Sequence, residues 1–221
     1  MYNKIFCNKF LNKLKKNINN SKKVFFLNNG EKKYYYDIKI IIQKTISLFE
    51  KEKDKRIIVF SGKSYFYYAY VLSLIFLGKT WIQISPNIPF ERIRNIIKVS
   101  GSKTAIFDDS FGDKNKIKEL KIKLFDNKQI LKSKPKEIKI KSIDPNDTAM
   151  IFFTSGSTSI PKGVKISYSS FIYSAYQQIK KLSYKNGKEV FSDYHDNSFV
   201  MSLNIIFPAV YLNCAISPII D

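Results

Sequence analysis

Histidine and cysteine are scarce in this chain of 221 residues, and their scarcity limits the chemistry it can carry. There is one histidine, His195, and the two cysteines, Cys7 and Cys214, lie far apart and match no metal-ligand spacing. A site built from several histidines is therefore excluded, and a disulfide-stabilised scaffold is not expected. We predict a cytoplasmic protein without a metal site of its own.

Acidic residues and arginine are also few. The chain has 18 Asp and Glu against 38 Lys and Arg, which gives a net charge of +20. Such a basic balance raises nucleic acid or an anionic membrane as partners. However, only Arg56, Arg92 and Arg94 are arginines, whereas base-edge and bidentate phosphate recognition depend on the planar arginine fork. We therefore interpret the scattered lysines mainly as solvated surface, with a functional basic patch as the alternative, and expect neither nucleic acid nor membrane as a partner.

Two regions of the sequence bear on whether the chain is targeted to a membrane. Four lysines between positions 4 and 15 interrupt every apolar run near the N-terminus, so no secretory signal is expected. The stretch 197–220 carries no charge and has the length of a bilayer span. Because Pro208 and Pro218 interrupt it, we predict a buried helix followed by a buried strand instead.

What the chain does contain is an alternation of short apolar runs with amphipathic stretches of helical length. This alternation predicts an α/β fold with largely parallel strands. The segment 108–141 is rich in lysine and weakly periodic, so we assign no element there. Helices are expected at 6–18, 37–52 (capped by Asp37), 64–77, from Pro89 and from about Ser169, and strands at 24–27, 33–36, 57–60, 81–84, 104–107, 149–153 and 164–166.

One segment carries the pattern of an anion-binding loop. The apolar run 149–153 leads directly into Thr154-Ser155-Gly156-Ser157-Thr158, and Pro161-Lys162-Gly163-Val164 follows. Hydroxyl groups and a glycine directly after a buried strand suit a cradle for phosphate, and Lys162 adds a point charge. The Walker A pattern is absent, and on the residues alone an ordinary surface loop remains the alternative.

This segment, from Asp147 to Val164, resembles the signature phosphate loop of the AMP-forming acyl-activating enzymes. That superfamily comprises acyl-CoA synthetases, the adenylation domains of peptide synthetases, and luciferases. The resemblance implies that Thr154, Ser155, Gly156, Ser157, Thr158, Lys162 and Gly163 hold ATP phosphates, with Mg²⁺ as the accompanying ion. Ser159 departs from the family, which usually has glycine there, and a positive φ at this position would strain the loop.

A second segment supports the resemblance. The sequence from Gly78 to Ile93 is similar to a structural motif of the same family, at the expected spacing from the phosphate loop. Gln83 and Ser85 depart from the family's usual proline and aspartate. The implied fold is the N-terminal part of the adenylate-forming large domain, with mostly parallel sheets flanked by helices.

A third region resembles the start of the family's acyl-pocket motif. His195 either lines the acyl site or is an ordinary polar residue at the end of a strand, and Phe199 and Val200 are further candidates for the acyl pocket. Val200 falls near the position where members that activate amino acids carry aspartate for the substrate ammonium group. An apolar residue cannot form that ion pair, so an α-amino acid substrate is disfavoured.

The resemblance also implies that residues 1–221 form a partial adenylation domain. The family motifs for adenine, ribose and Mg²⁺, and the C-terminal domain with its catalytic lysine, have no counterpart here, so we assign no catalytic residue. Expected partners are a carboxylic acid and the thiol of CoA or a carrier protein. The alternatives are a non-catalytic remnant, or one half of an enzyme completed by a separate chain. We also expect low solubility, on the reasoning that the strand at 214–219 lacks neighbouring strands.

Overall fold

The computed structural model describes residues 3–154 and 161–219. The described part contains eight α-helices and ten β-strands, arranged in two sheets. The helices are α1 (Lys4–Asn20), α2 (Tyr35–Phe49), α3 (Tyr65–Phe76), α4 (Phe90–Ser100), α5 (Lys114–Lys118), α6 (Asn127–Lys132), α7 (Tyr168–Lys181) and α8 (Leu203–Tyr211). The strands are β1 (Val24–Asn28), β2 (Glu31–Tyr34), β3 (Arg56–Phe60), β4 (Thr80–Ile84), β5 (Thr104–Phe107), β6 (Lys123–Asp126), β7 (Thr148–Thr154), β8 (Lys162–Ser167), β9 (Val190–Asp193) and β10 (Ala215–Pro218).

The larger sheet has six strands in the order β6-β5-β3-β4-β7-β8. All neighbours are parallel except β7 and β8, which form an antiparallel hairpin. The central strands β3, β4 and β5 are short apolar runs whose side chains are buried on both faces, as parallel sheets covered by helices require. The predicted α/β class with largely parallel strands is confirmed.

The smaller sheet has four strands in the order β2-β1-β10-β9. β1 and β2 form an antiparallel hairpin in which β2 begins two residues before the predicted strand 33–36, and β10 lies parallel between β1 and β9. The expectation that the last strand lacks neighbours is therefore wrong. Phe26 of β1 pairs with Ile216 of β10, so the first strand of the chain supplies one of the two partners. Because β10 has two neighbouring strands, the reason given for low solubility does not apply.

Helix α3 is buried on all its faces. Every residue from Tyr67 to Phe76 is buried, and the helix shares one apolar core with α1, α2, α7, α8 and both sheets. Ser64 caps its N-terminus, because the Ser64 hydroxyl accepts a hydrogen bond from the amide of Tyr67 at 3.1 Å. A helix with few polar side chains is stable here because it is enclosed by protein.

Two local expectations need correction. Asp37 does not cap α2, because the helix begins at Tyr35. Asp37 is the third residue of α2, and its carboxylate accepts a hydrogen bond from the Tyr34 amide at 2.8 Å. In the unassigned segment 108–141 the structure places α5, β6 and α6. The strand β6 pairs with β5 from Thr104 to Phe107.

The uncharged stretch 197–220 forms α8 and β10 over its described residues, as predicted. None of the described helices has the length and apolar character needed to cross a membrane.

Candidate functional site

The predicted phosphate loop connects the two strands of the β7–β8 hairpin. Thr154, the last residue of β7, pairs with Lys162, the first residue of β8, and both are exposed. Four predicted phosphate-binding residues, Ser155, Gly156, Ser157 and Thr158, lie outside the described residues, as does the departure at Ser159. The hairpin thus brings Thr154 and Lys162 to the two ends of this loop.

Gly163 has a steric role beside this loop. A Cβ atom at position 163 would lie 3.1 Å from Ile151 Cγ2 and 3.1 Å from Phe153 Cε1. Both distances are shorter than most carbon contacts, so a larger residue at position 163 would require Ile151 and Phe153 to shift by a few tenths of an ångström. The residue shapes the base of the loop through close packing.

An arginine that the sequence analysis did not single out contacts the same hairpin. Arg92 on α4 donates a hydrogen bond from Nη2 to the carbonyl oxygen of Phe153 at 3.3 Å. Because Phe153 directly precedes Thr154, this contact ties α4 to the strand that enters the loop. Arg92 lies in the segment from Gly78 to Ile93, whose similarity to the family is the sequence signal that could have identified it.

A cleft of about 370 Å³ opens at the carboxyl ends of strands from both sheets. This is the edge where parallel α/β sheets generally bind ligands, because the loops that follow the strands converge there. Lining residues follow β3 (Gly62, Lys63), β4 (85–87), β5 (Ser110), β9 (Tyr194, Asp196, Asn197) and β10 (Ile219).

A buried carboxylate holds the loops on the six-stranded side of this cleft. Asp108 is 1% exposed. Its carboxylate accepts hydrogen bonds from Ser61 Oγ at 2.7 Å, Ser110 Oγ at 2.5 Å and Asn127 Nδ2 at 2.8 Å, and also from the hydroxyl of Ser64. A buried carboxylate is tolerated only when its oxygens are paired in this way. Asp108 therefore fixes the loops after β3 and β5 relative to each other.

Gln83, one of the two departures from the family motif, takes part in the same arrangement. Its side chain is buried, and Nε2 donates to the carbonyl oxygen of Ser61 at 2.8 Å. Proline, the usual residue, has no such donor. Ser85, the other departure, is buried and lines the cleft.

The third predicted region follows β9. The ring centroid of His195 lies 4.0 Å from that of Tyr194, and Tyr194 lines the cleft whereas His195 does not. Phe199 is 62% exposed. Val200 begins a 3₁₀ turn and packs against the main core. The structure places all three near the end of β9 in the chain but does not bring Phe199 or Val200 into the cleft wall.

Asp193, the last residue of β9, is a buried acid that sequence reasoning did not identify. It is fully buried, and its Oδ2 accepts a hydrogen bond from the Tyr68 hydroxyl at 2.8 Å. Burial raises the pKa of its carboxyl above the ordinary 3.8, although the Tyr68 hydrogen bond and the charges of Lys63 and His195 act in the opposite direction. No sequence signal separates this aspartate from an exposed one.

Metal-ligating side chains are not clustered in the part of the chain that the structure describes. Within residues 3–154 and 161–219, no group of three or more His, Cys, Asp and Glu side chains is arranged to hold a metal ion. Both cysteines are buried and free.

Comparison with known families decides the identity of this fold. The model of the family described as AMP-binding enzyme matches residues 22–218. The chain belongs to this family. The match includes both sheets, the β7–β8 hairpin and the residues that line the cleft except Ile219, and it confirms the resemblance drawn from the phosphate loop.

Relatives of this AMP-binding chain include two bacterial synthases. Syringomycin synthase SyrB1 of Pseudomonas syringae pv. syringae is 27% identical over 141 residues, which cover 63% of this chain and 22% of the relative. Bacitracin synthase 1 of Bacillus licheniformis is 30% identical over 143 residues, which cover 63% of this chain and 2% of the relative.

Solved structures show the same fold. The adenylation domain AlmE of Vibrio cholerae, in complex with glycyl-adenosine-5'-phosphate, matches 96% of this AMP-binding chain with a TM-score of 0.80 at 16% identity. The o-succinylbenzoate CoA synthetase MenE of Bacillus subtilis matches 94% with a TM-score of 0.78 at 16% identity. The chain spans 45% and 43% of those two proteins, and under a quarter of the two synthases named above.

Proposed function

We propose that this protein takes part in the ATP-dependent activation of a carboxylic acid. The reaction joins the acid to AMP as an acyl-adenylate, releases pyrophosphate, and then passes the acyl group to a thiol of CoA or of a carrier protein. The observation that carries the proposal is the family match over residues 22–218, which includes the hairpin that presents Thr154 and Lys162.

The residues around the hairpin suit the binding of a triphosphate. Thr154 and Lys162 face each other at the two ends of the loop, and Lys162 is an exposed cation next to Gly163. In the proposal, these residues and Ser155, Gly156, Ser157 and Thr158 bind the ATP phosphates through hydroxyl, amide and ammonium donors. ATP itself supplies the phosphoric anhydride that activates the acid. Mg²⁺ would enter with the nucleotide, and the described residues offer no carboxylate cluster to hold it alone.

The acid side of the proposed site lies after β9. His195, Phe199 and Val200 are proposed to line the acyl pocket. Because Val200 is apolar, the preferred acid lacks an α-ammonium group. The exposed ring of Phe199 is available for such a contact, since 62% of its surface faces solvent.

A separate chain that supplies the remaining parts of the site is a further element of the proposal. Adenylation requires positive charge opposite the attacked phosphate. Lys162 alone is a poor source of that charge. The proposed compartment is the cytoplasm, with which the two free thiols are compatible.

Pyrophosphate exchange tests the proposal. The chain is assayed with ATP, Mg²⁺, labelled pyrophosphate and a panel of amino, aryl and short aliphatic acids, alone and together with a candidate downstream chain. Acid-dependent exchange that falls at least about tenfold in Lys162→Ala, but is retained in Lys165→Ala, supports the proposal. Lys165 is the matched control, because it is an exposed lysine on the same strand. Absence of both exchange and ATP binding under every condition would favour a non-catalytic remnant.

A further inference from the structure

Two side chains cross between the two sheets in opposite directions. Lys63, in the loop after β3, donates from Nζ to the carbonyl oxygens of Asp193 at 2.9 Å and Ile219 at 3.0 Å. Asn197, after β9, donates from Nδ2 to the carbonyl oxygens of Ser61 at 3.2 Å and Gly62 at 3.1 Å. We call Lys63 and Asn197 the clasp.

The clasp binds four main-chain carbonyl oxygens at or just after strand ends, and three of these oxygens also accept another hydrogen bond. Carbonyl oxygens beyond the last ladder pair of a strand need partners from elsewhere. On the four-stranded side, the Asp193 carbonyl already accepts the Ile219 amide at 2.9 Å, so Lys63 joins the end of the β9–β10 pairing. Lys63 therefore binds strand ends of the four-stranded sheet, and Asn197 binds the end of β3 in the six-stranded sheet.

The loop that receives Asn197 is rigidly held. Ser61 is bound through its carbonyl by Gln83 and through its hydroxyl by Asp108. Because these two contacts lie within the six-stranded sheet and its loops, they stay in place when the clasp is removed. Loss of the clasp should then displace the segment after β9 and leave the loop after β3 where it is.

Both residues of the clasp also line the cleft. One wall of the cleft is the loop 85–87 on the six-stranded side, and the other is formed by Tyr194 and Asp196 on the four-stranded side. We infer that Lys63 and Asn197 are positioning residues that fix the separation of these two walls. They act on the site through the backbone of the segment that carries Tyr194 and His195. The consequence for acid binding rests on the proposed function, whereas the geometry of the cleft does not.

The cleft width is measured directly with paired spin labels. Asn87→Cys and Tyr194→Cys place one label on each wall, and both positions are exposed. The native Cys7 and Cys214 are buried, which keeps labelling selective. Distances are compared among the labelled parent, Lys63→Met, Lys63→Arg and Asn197→Leu. The matched control is Lys9→Met, an exposed lysine on α1.

The inference expects one narrow distance distribution in the parent, in Lys63→Arg and in Lys9→Met. It expects a shifted or broadened distribution in Lys63→Met and, independently, in Asn197→Leu. A narrow, unshifted distribution in both of these variants would overturn it, and so would equal broadening in Lys63→Met and Lys9→Met. If either clasp variant unfolds, circular dichroism identifies it and the other variant decides the outcome.

A kinetic arm uses the panel acid that gives the fastest pyrophosphate exchange. Lys63→Met should raise KM for that acid by about tenfold and change KM for ATP by less than about twofold, with recovery in Lys63→Arg. Unchanged label distances combined with a raised KM would mean that Lys63 contacts the substrate itself, which contradicts a positioning role. Absence of exchange in the parent bears on the proposed function and leaves the distance measurement valid.

Discussion

Gly163 lies so close to the Phe153 ring that a methyl group on residue 163 would be 3.1 Å from Phe153 Cε1. The two residues face each other across the β7–β8 hairpin, directly next to the pair that borders the phosphate loop. Their close packing sets the separation of the two strands where the loop begins. The backbone around the proposed phosphate site thus depends on a glycine for its lack of a side chain.

The first prediction follows from this contact. Gly163→Ala should lower the free energy of unfolding by about 1–3 kcal/mol, because an added methyl group in a packed position forces strain. Urea-induced unfolding measures the loss. Gly163→Ala should cost less in a Phe153→Leu background than in the wild type, since the smaller side chain gives room. An equal cost in both backgrounds would show that the Phe153 ring is not the cause.

The second prediction concerns the buried carboxylate of Asp108. Asp108→Ala should cost about 2–3 kcal/mol of stability, because the buried Asn127 amide and the hydroxyls of Ser61, Ser64 and Ser110 lose this acceptor. Asp109→Ala is the matched control, since Asp109 is an exposed aspartate whose carboxylate makes one long hydrogen bond, from Asn127 at 3.4 Å, and it should cost under about 1 kcal/mol. Thermal and urea unfolding both report the difference. Equal effects in the two variants would contradict the role assigned to Asp108.

The third prediction is a pH dependence from Asp193. Burial raises the pKa of this carboxyl in the folded protein above its ordinary 3.8, so the folded state binds the proton more tightly than the unfolded state. Its stabilising contribution is fully present below the ordinary pKa and is lost as pH rises through the raised pKa. Asp193→Asn removes this contribution and keeps an oxygen for Tyr68.

Urea unfolding of wild type and Asp193→Asn between about pH 3.5 and pH 8 isolates the effect. The free energy of unfolding of wild type, relative to the variant, should fall from about pH 4 upward and then level off. Carboxyls whose pKa is lowered, such as Glu50, Glu52 and Asp126, give the opposite slope. Those contributions are common to both proteins and cancel in the difference. A difference that is constant with pH would be evidence against a raised pKa.

The fourth prediction tests the substrate class and rests on the proposed function. Val200→Asp places a carboxylate where an α-ammonium group would need one, so exchange with amino acids should rise relative to acids that lack the amine. A change of about tenfold in that ratio is expected for one partly desolvated ion pair. Val200→Asn, of similar size but uncharged, is the control. The same ratio in Asp and Asn variants would place Val200 away from the acyl pocket.

Local patterns in the chain were sufficient for most of the elements. Apolar spacing of four residues predicted α1, and short apolar runs predicted the central strands, because both depend on which face of a local element is buried. The strand β6 was missed, because only four residues pair with β5 and lysine is one of them. The N-cap assigned to Asp37 was wrong by three positions, because α2 is capped at Tyr34 and helix boundaries depend on geometry that composition does not resolve.

The sequence by itself determined the α/β class, the position of the phosphate loop between two strands and, through that loop, the family. Tertiary structure alone decided that β1 completes the sheet around β10, that Asp108 joins the loops after β3 and β5 to Asn127 of α6, and that Lys63 and Asn197 join the two sheets. The physical reason is the range of the interactions. Periodicity and turn chemistry act over a few residues, whereas strand-end carbonyls and buried carboxylates find partners only after distant parts of the chain have met.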